Sequence, residues 1–514
     1  MKRWTAWMVA LALAGALPVC AASPDYLIRA EKSGSFALAG LLDTGIPVVM
    51  DLERCILVLG GDSEIDALKG LGLQSEILDT SPTYWNYYHV GLRPDSDLRA
   101  LMAVGSVIHT EDNWVILRVP PEADLADLYK SRAFFAPVPR ERLAKPKPGD
   151  PLPLHGPETL HNVPLVQQMV DSVSTANIDA VWNTLAPPNG TPTPTRYTTD
   201  AGCGDDSTYC YNLFASYGLW AEYDDYGGAS RAPNAYGTLT GAVTPSKVYI
   251  VEGHLDDMPS SGYAPGADDN ASGTVVVLEA ARVLSCYAFK STVKFLAVTG
   301  EETGLEGSEA YANAAAARDE DIQGVINMDM PGWTGDNSPV GENLDLNCDS
   351  NSQALGLFFA QCAADYSTGL AVDAFLCPSL TASDHYPFWQ QGYKAVCGIT
   401  DNEGYCSHAG HYPYYHTSDD TIANCGDKTF FYNAVRTSVA ALAELAEPFK
   451  ITFDRASYGC AVPVTVIVGD RDLNTSSSST QTATIQIWST REGTPEDLVL
   501  TEQGANSMLF KGTI

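Results

Sequence analysis

The chain has 514 residues, 45% of them hydrophobic and 10% aromatic, enough for at least one large packed core and too apolar for disorder to be its main state. Thirty Lys and Arg against 63 Asp and Glu leave a formal charge of −33, and a surface that acidic repels phosphate backbones and anionic membranes, so nucleic acid is excluded as a partner. At about 150 residues per domain the length accommodates roughly three domains.

Residues 1–22 read as a secretory signal peptide, with Lys2 and Arg3 before an apolar run from Ala6 to Leu17 and a small-residue exit around Val19-Cys20-Ala21-Ala22. Leu17-Pro18-Val19 lacks the small residues that lipoprotein processing at Cys20 prefers. No later stretch reaches the roughly 18 apolar residues of a spanning helix. The expected product is soluble and exported, either extracellular or periplasmic. Twelve cysteines suit such an oxidising destination. Cys203 and Cys210 flank a short polar segment and are the first candidates for a local bridge. Cys348, Cys362, Cys377, Cys397, Cys406 and Cys425 cluster later, without a C-x-x-C pair that would suggest a thiolate zinc site.

Residues 23–135 read as a small α/β unit. Buried strands are expected at Ile46–Leu52, Cys55–Gly61 and Trp114–Val119, and helical spacing at Ser63–Leu71 and Asp97–Val104. The unit carries no chemistry and suits an accessory or propeptide-like role, covering a cleft before maturation. Residues 136–157 are a Pro-rich linker, stiff, extended and open to proteolytic trimming. Residues 158–449 alternate apolar strands with helices, which predicts an α/β domain with a mixed, mostly parallel sheet flanked by helices. Chemistry in such a domain gathers at the carboxyl ends of the strands. Residues 450–514 turn to β-branched, period-two segments, a β-sandwich-like pattern with fewer strands than a sandwich needs. That shortage points to a chain ending inside the domain, and its position suggests attachment to a surface or matrix.

Five places in the middle domain put acids or imidazoles at strand ends or turns. His254-Leu-Asp256 follows one strand, and Pro265-Gly-Ala-Asp268-Asp269-Asn-Ala-Ser-Gly273 opens a helix. Glu301-Glu302 ends the most hydrophobic strand, Asp329 ends another, and His416-Thr-Ser-Asp419-Asp420 lies in a turn. Uncompensated charge at a buried strand end is costly. From His254 to Pro448 the cations are Arg282, Lys290, Lys294, Arg318, Lys394, Lys428 and Arg436, mostly within helices or strands. Carboxylates converging at one rim therefore require a metal ion or else point outward into water, and oxygen and imidazole donors without thiolate suit zinc, cobalt or manganese.

These five motifs, in this order over residues 158–449, resemble the secreted bacterial di-zinc aminopeptidases, whose wider family of zinc exopeptidases includes glutamate carboxypeptidase, glutaminyl cyclase and the transferrin receptor. The resemblance implies a zinc-exopeptidase fold and two Zn2+ ions, with Co2+ or Mn2+ as substitutes. His254 and Asp329 would hold one ion, Glu302 and His416 the other. Asp268 would bridge them, with a cis peptide to Asp269, and Asp256 would support His254. Glu301 would be the general base for a water activated between the ions, acting on peptide substrates. Relatives often carry a short disulfide loop and an assisting Tyr before a Ser-Asp-His segment. Here Cys377 to Ser383-Asp384-His385 keeps the ending but lacks the second cysteine and the Tyr, so Cys377 is expected to pair elsewhere, with Cys397 as a candidate. An insertion from Asp401 to Tyr414 brings Cys406, His408 and His411 as loop residues.

An aminopeptidase is favoured over a carboxypeptidase or dipeptidase of the same family because a terminal carboxylate needs a cation. Lys394 falls inside a strand, whereas Asp401 and Glu403 could attract an α-ammonium group. Arg196 and Arg231 keep the carboxypeptidase alternative open. A catalytically silent surface or binding protein is the non-enzyme alternative, disfavoured because all five ligand positions and Glu301 are filled. A serine hydrolase lacks its G-x-S-x-G elbow, and a single-metal protease its H-E-x-x-H helix.

Overall fold

The computed structural model describes residues 25–514 apart from 33–37, 93–95, 112, 124, 126, 127, 129, 130, 132, 153, 155–161, 188–194, 259–261, 335–342, 401–411, 456–461, 471, 472, 474, 477, 490, 491, 506 and 507. The signal-peptide segment, the insertion histidines and Cys406 therefore lie outside the described residues.

The first unit comprises β1 (Tyr26–Glu31), α1 (Leu38–Asp43), β2 (Val48–Asp51), β3 (Cys55–Gly60), α2 (Asp62–Gly70), β4 (Ser75–Asp79), β5 (Asn86–Gly91), α3 (Leu98–Val104), β6 (Ser106–Glu111), β7 (Trp114–Val119) and β8 (Phe134–Pro137). Its strands form two four-stranded antiparallel sheets, ordered β2-β3-β1-β4 and β6-β7-β5-β8.

The second unit begins with α4 (Pro164–Asp171), α5 (Thr175–Leu185), α6 (Ala201–Ser216), β9 (Trp220–Asp224), β10 (Asn234–Leu239), β11 (Thr244–His254), α7 (Gly273–Leu284), β12 (Ala288–Phe289) and β13 (Ser291–Val298). It continues with α8 (Glu306–Ala317), β14 (Asp321–Met328), β15 (Leu344–Cys348), α9 (Gln353–Asp365), β16 (Val372–Leu376), α10 (His385–Gln390), β17 (Ala395–Thr400) and α11 (Lys428–Ala446). Eight of its strands form one mixed sheet ordered β16-β15-β17-β14-β11-β13-β10-β9. The central neighbours β13, β11, β14 and β17 are parallel, so their carboxyl ends share one rim. Both faces of these strands are covered, which explains their continuous apolar runs. Tyr249 and Val251 join a core with α4–α7, α9 and α11, whereas Val248 and Ile250 face the other way.

That second face holds the largest departure from a picture of separate domains on a linker. Val248, Ile250, Leu296 and Val298 share one core with Tyr311 and Ala312 of α8, Phe388 and Trp389 of α10, and Leu27, Leu57, Trp114 and Ile116 of the first unit. The proline-rich stretch is laid along the second unit: the amide of Ala144 donates to the Gln390 carbonyl (2.8 Å), that of Lys147 to Gly392 (2.7 Å), and that of Asp150 to Gln323 Oε1 (2.9 Å).

The last segment comprises β18 (Pro448–Phe453), β19 (Thr465–Asp470), β20 (Thr482–Ser489), β21 (Glu492–Glu502) and β22 (Leu509–Thr513). These strands join β12 in one ladder, ordered β12-β18-β19-β22-β21-β20, whose inward side chains (Val466, Val468, Leu498, Leu500 and Phe510) share a single cluster. The sandwich-like packing is thus one continuous sheet, fastened to the second unit through β12. No helix among the described residues is long and apolar enough to cross a membrane.

Two cysteine expectations are corrected. Cys203 and Cys210 are free and lie on the single helix α6, where seven residues rise about 10 Å, beyond the span of a disulfide. Cys397 is also free, although Cys377 is disulfide-bonded, so those two are not partners.

The site rim depends on a close approach of backbones. A Cβ on Gly273 would stand 2.0 Å from the Met328 carbonyl oxygen, and one on Gly253 2.7 Å from the Gly273 carbonyl carbon. Neither obstacle is a flexible side chain. Gly273→Ala is expected to destabilise the fold by about 1–3 kcal/mol, read as a lower urea midpoint. Gly40→Ala in α1, with nothing within 4 Å of the new methyl, is expected to be neutral or stabilising by up to ~1 kcal/mol.

Candidate metal centre

β11 ends at His254, which is 1% exposed. Its Nδ1 lies 3.1 Å from the backbone carbonyl of Asp256, so Nδ1 carries the proton and Nε2 faces the rim. Nε2 is 3.3 Å from Asp269 Oδ1 and 3.4 Å from Asp329 Oδ1. Asp329 follows β14, and its other oxygen accepts from Ser383 Oγ at 2.6 Å, which in turn accepts from Asn327 Nδ2 at 2.7 Å. On the opposite side, His416 Nε2 is 3.2 Å from Asp269 Oδ2 and 2.9 Å from Glu302 Oε2. The Tyr415 ring stacks on His416 with centroids 3.7 Å apart. The oxygens of Asp269 thus divide between the two imidazoles. Glu301 completes the cluster: one donor atom each from His254, Glu301 and Asp329 lie within 4.8 Å of one another, as do those of His254, Asp269 and Glu302.

Asp268 stands apart from this arrangement. Its Oδ1 accepts from the Gly332 amide (2.7 Å) and from Ser272 Oγ (3.0 Å), which ties it into the loop beneath. The cis peptide is Asp269–Asn270, one residue later than the resemblance implies, and Asp269 and Asn270 have non-helical φ/ψ inside an otherwise helical turn. Two adjacent carboxylates in an irregular turn point in different directions, and the backbone decides which one reaches the rim. That backbone is braced by Asp420, whose oxygens accept the amides of Asp268 (2.9 Å) and Asp269 (3.0 Å) while Tyr412 donates to one of them. Asn270 staples the turn to the end of β14, donating to the Met328 carbonyl (2.9 Å) and accepting from the Met330 amide (3.1 Å).

Asp256 also acts differently from expectation. Its carboxylate is 3.7 Å from His254 Nδ1; it accepts instead the amides of Glu301 (3.3 Å) and Glu302 (3.2 Å) and the hydroxyl of Thr198. It therefore holds the peptide carrying both glutamates, while its carbonyl holds the imidazole. Sequence reasoning assigned no role to Asp420, Ser383 or Asn327. Asp420 lies within the His416 motif and Ser383 in the Ser-Asp-His segment, so motif position was the only signal they offered.

Buried orphaned atoms test whether a cation fits. Asp329 Oδ1, Glu302 Oε1 and both ring nitrogens of His416 are buried without a hydrogen bond. Burial alone would lower the pKa of His416, but Glu302 and Asp269 overcome it and push it up to about 9. Against the upward push of burial, the two imidazoles hold the Asp269 carboxyl well below its usual range. A divalent ion supplies the positive charge these protons otherwise provide, and this imidazole–carboxylate donor set suits zinc.

Comparison with known proteins gives the same chemistry. Residues 234–441 match the sequence profile of Peptidase family M28. This region is similar to peptidase family M28. A probable zinc metalloprotease of Pyrenophora tritici-repentis is 33% identical over 218 residues, which cover 35% of this chain and 45% of the relative, so the chain spans less than half of that protein's length. A probable leucine aminopeptidase of Trichophyton verrucosum is 28% identical over 353 residues, covering 65% of this chain and 89% of the relative. Among solved structures, LapB from Legionella pneumophila superposes with a TM-score of 0.54 at 18% identity, over 70% of this chain and 99% of LapB. LapA aminopeptidase of the same organism gives 0.53 at 19% identity, over 70% of this chain and 98% of LapA. The mixed sheet is thus the zinc-exopeptidase fold, and the match to a zinc metalloprotease family implies zinc.

The site provides a direct test of which aspartate reaches the metal. Asp269→Asn is expected to lower zinc affinity by more than the roughly 10–100-fold typical of outer-shell changes, and Asp268→Asn to stay within that range. Metal analysis after equilibration against a competing chelator measures both.

Proposed function

We propose that this chain is an exported zinc aminopeptidase that removes N-terminal residues from peptides, with two Zn2+ ions held by His254 and Asp329 and by Glu302 and His416. Asp269 would help to hold both ions in this reading. The observation that carries it is a single carboxylate with one oxygen against each of two imidazoles, at 3.3 and 3.2 Å, beside the carboxylate of Glu301.

When bound, the ions polarise the scissile carbonyl and acidify the attacking water. Glu301 takes that proton and returns it to the leaving amine. Burial raises its carboxyl pKa above the ordinary value, with Glu302 and Asp329 adding to the push and His254 opposing it. Asp256 positions Glu301 by accepting its amide.

The choice of substrate end rests on the cations. Arg196 is fully buried, donating to the carbonyls of Leu185, Leu255, Pro265 and Gly266 and pairing with Asp257 at 3.3 Å. Arg231 is bound bidentately to Glu306, at 2.6 and 2.7 Å. Lys394 precedes β17, at the opposite end of that strand from the rim. None is placed to receive a terminal carboxylate. An excess of acids at the rim suits an α-ammonium group instead, and relatives named leucine aminopeptidases support an apolar N-terminal residue.

Glu301→Gln is expected to lower kcat by about 10²–10⁴-fold while zinc content stays unchanged. Equal turnover would remove Glu301 from the reaction. Removing metal with a chelator should abolish hydrolysis, and zinc should restore it. A free-amine tripeptide Leu-Gly-Phe should be cleaved at least tenfold faster than its N-acetyl form, a preference worth about 1.4 kcal/mol; faster cleavage of the N-acetyl peptide, with release of its C-terminal Phe, would favour the carboxypeptidase reading.

A further inference from the structure

We propose that Phe134, carried by the first unit, occupies the side-chain pocket of the peptidase site and keeps the intact chain latent; this rests on the aminopeptidase reading above. Phe134 is 5% exposed and belongs to a cluster whose other members come from the second unit, including Met330, Trp333, Leu380 and Tyr415 in loops and Ile399 in β17. Its ring lies 5.1 Å from that of Tyr415, the residue stacked on His416. Phe134 also lines the same enclosed space as His254, Asp269, Glu301 and Asp329, and the cavity left there is about 10 Å³. That is at the lower limit for a single water.

The placement follows from strand register. β8 pairs with β5 so that Phe134 is opposite Gly91 and Ala136 opposite His89, and cross-strand partners share a face. Phe134, Ala136 and His89 accordingly point to the second unit, while Phe135 packs with Val90 in the first unit's own core. His89 Nδ1 is 2.9 Å from Thr381 Oγ1, a second contact with the loop that contributes Leu380 to the pocket. The shared core under the sheet holds the first unit in place. An aromatic side chain delivered by a separate unit into an apolar pocket next to the reacting carboxylate occupies the space a substrate's N-terminal side chain needs.

The test uses the full, zinc-loaded chain with Phe134 unaltered, Phe134→Leu and Phe134→Ala. Calorimetry with leucine hydroxamate reports access to the site without turnover, and leucine p-nitroanilide reports hydrolysis. Phe134→Ala is expected to bind the hydroxamate at least tenfold more tightly and to cleave the anilide at least tenfold faster than the unaltered chain. Phe134→Leu should be intermediate in both, and it decides the matter if the alanine variant fails to fold. Equal binding and equal hydrolysis in the unaltered and substituted chains overturn the proposal while leaving the aminopeptidase reading intact. Tighter hydroxamate binding with no hydrolysis in any variant supports occlusion and removes the aminopeptidase reading.

Discussion

At the rim of the central sheet, Asp269, Glu302, Asp329 and Glu301 converge on two buried imidazoles. Like charges at this separation in a low-dielectric setting repel strongly, and several of their oxygens lack any hydrogen bond. Protons on the histidines relieve part of this charge, and a divalent cation relieves more. Much of the surrounding architecture holds these groups against their own repulsion.

The supporting contacts form three braces. Asp420 grips two successive amides of the turn carrying Asp269, and Asn270 ties the same turn to β14. Asp256 holds the amides of the paired glutamates from β13 while its carbonyl fixes the His254 ring from β11. Ser383 occupies one oxygen of Asp329 and leaves the other toward the centre. Each brace joins elements far apart in the chain, so side-chain aim is over-determined, which is what a preorganised site requires. Arg196 contributes at one remove, because its guanidinium donates to carbonyls in both the His254 and Asp269 loops.

The first unit changes meaning once its packing is visible. Its strands carry no catalytic motif, and the proline-rich stretch after them resembles a spacer. Instead its apolar faces merge with the core below the sheet and its β8 reaches the rim above. Burial of this kind links the fold of the first unit to the exposure of the site, a coupling absent where two domains merely share a tether.

The sequence by itself determined the layered α/β class, the strand ends that carry His254, Glu301, Glu302 and Asp329, and the shortage of cations among them. These follow from local signals: apolar runs of strand length, acids placed directly after them, and composition. Only the tertiary structure decided that Asp269 and not Asp268 faces both imidazoles, because two neighbouring carboxylates in an irregular turn are equivalent on paper until the backbone torsions are known. The same holds for Asp256, whose carbonyl and carboxylate serve different partners, and for Cys203 and Cys210, which a continuous helix keeps apart. Phe134 is the extreme case. An isolated aromatic on a short strand is indistinguishable from core, and its position beside the site arises from strand register and from contacts between segments hundreds of residues apart.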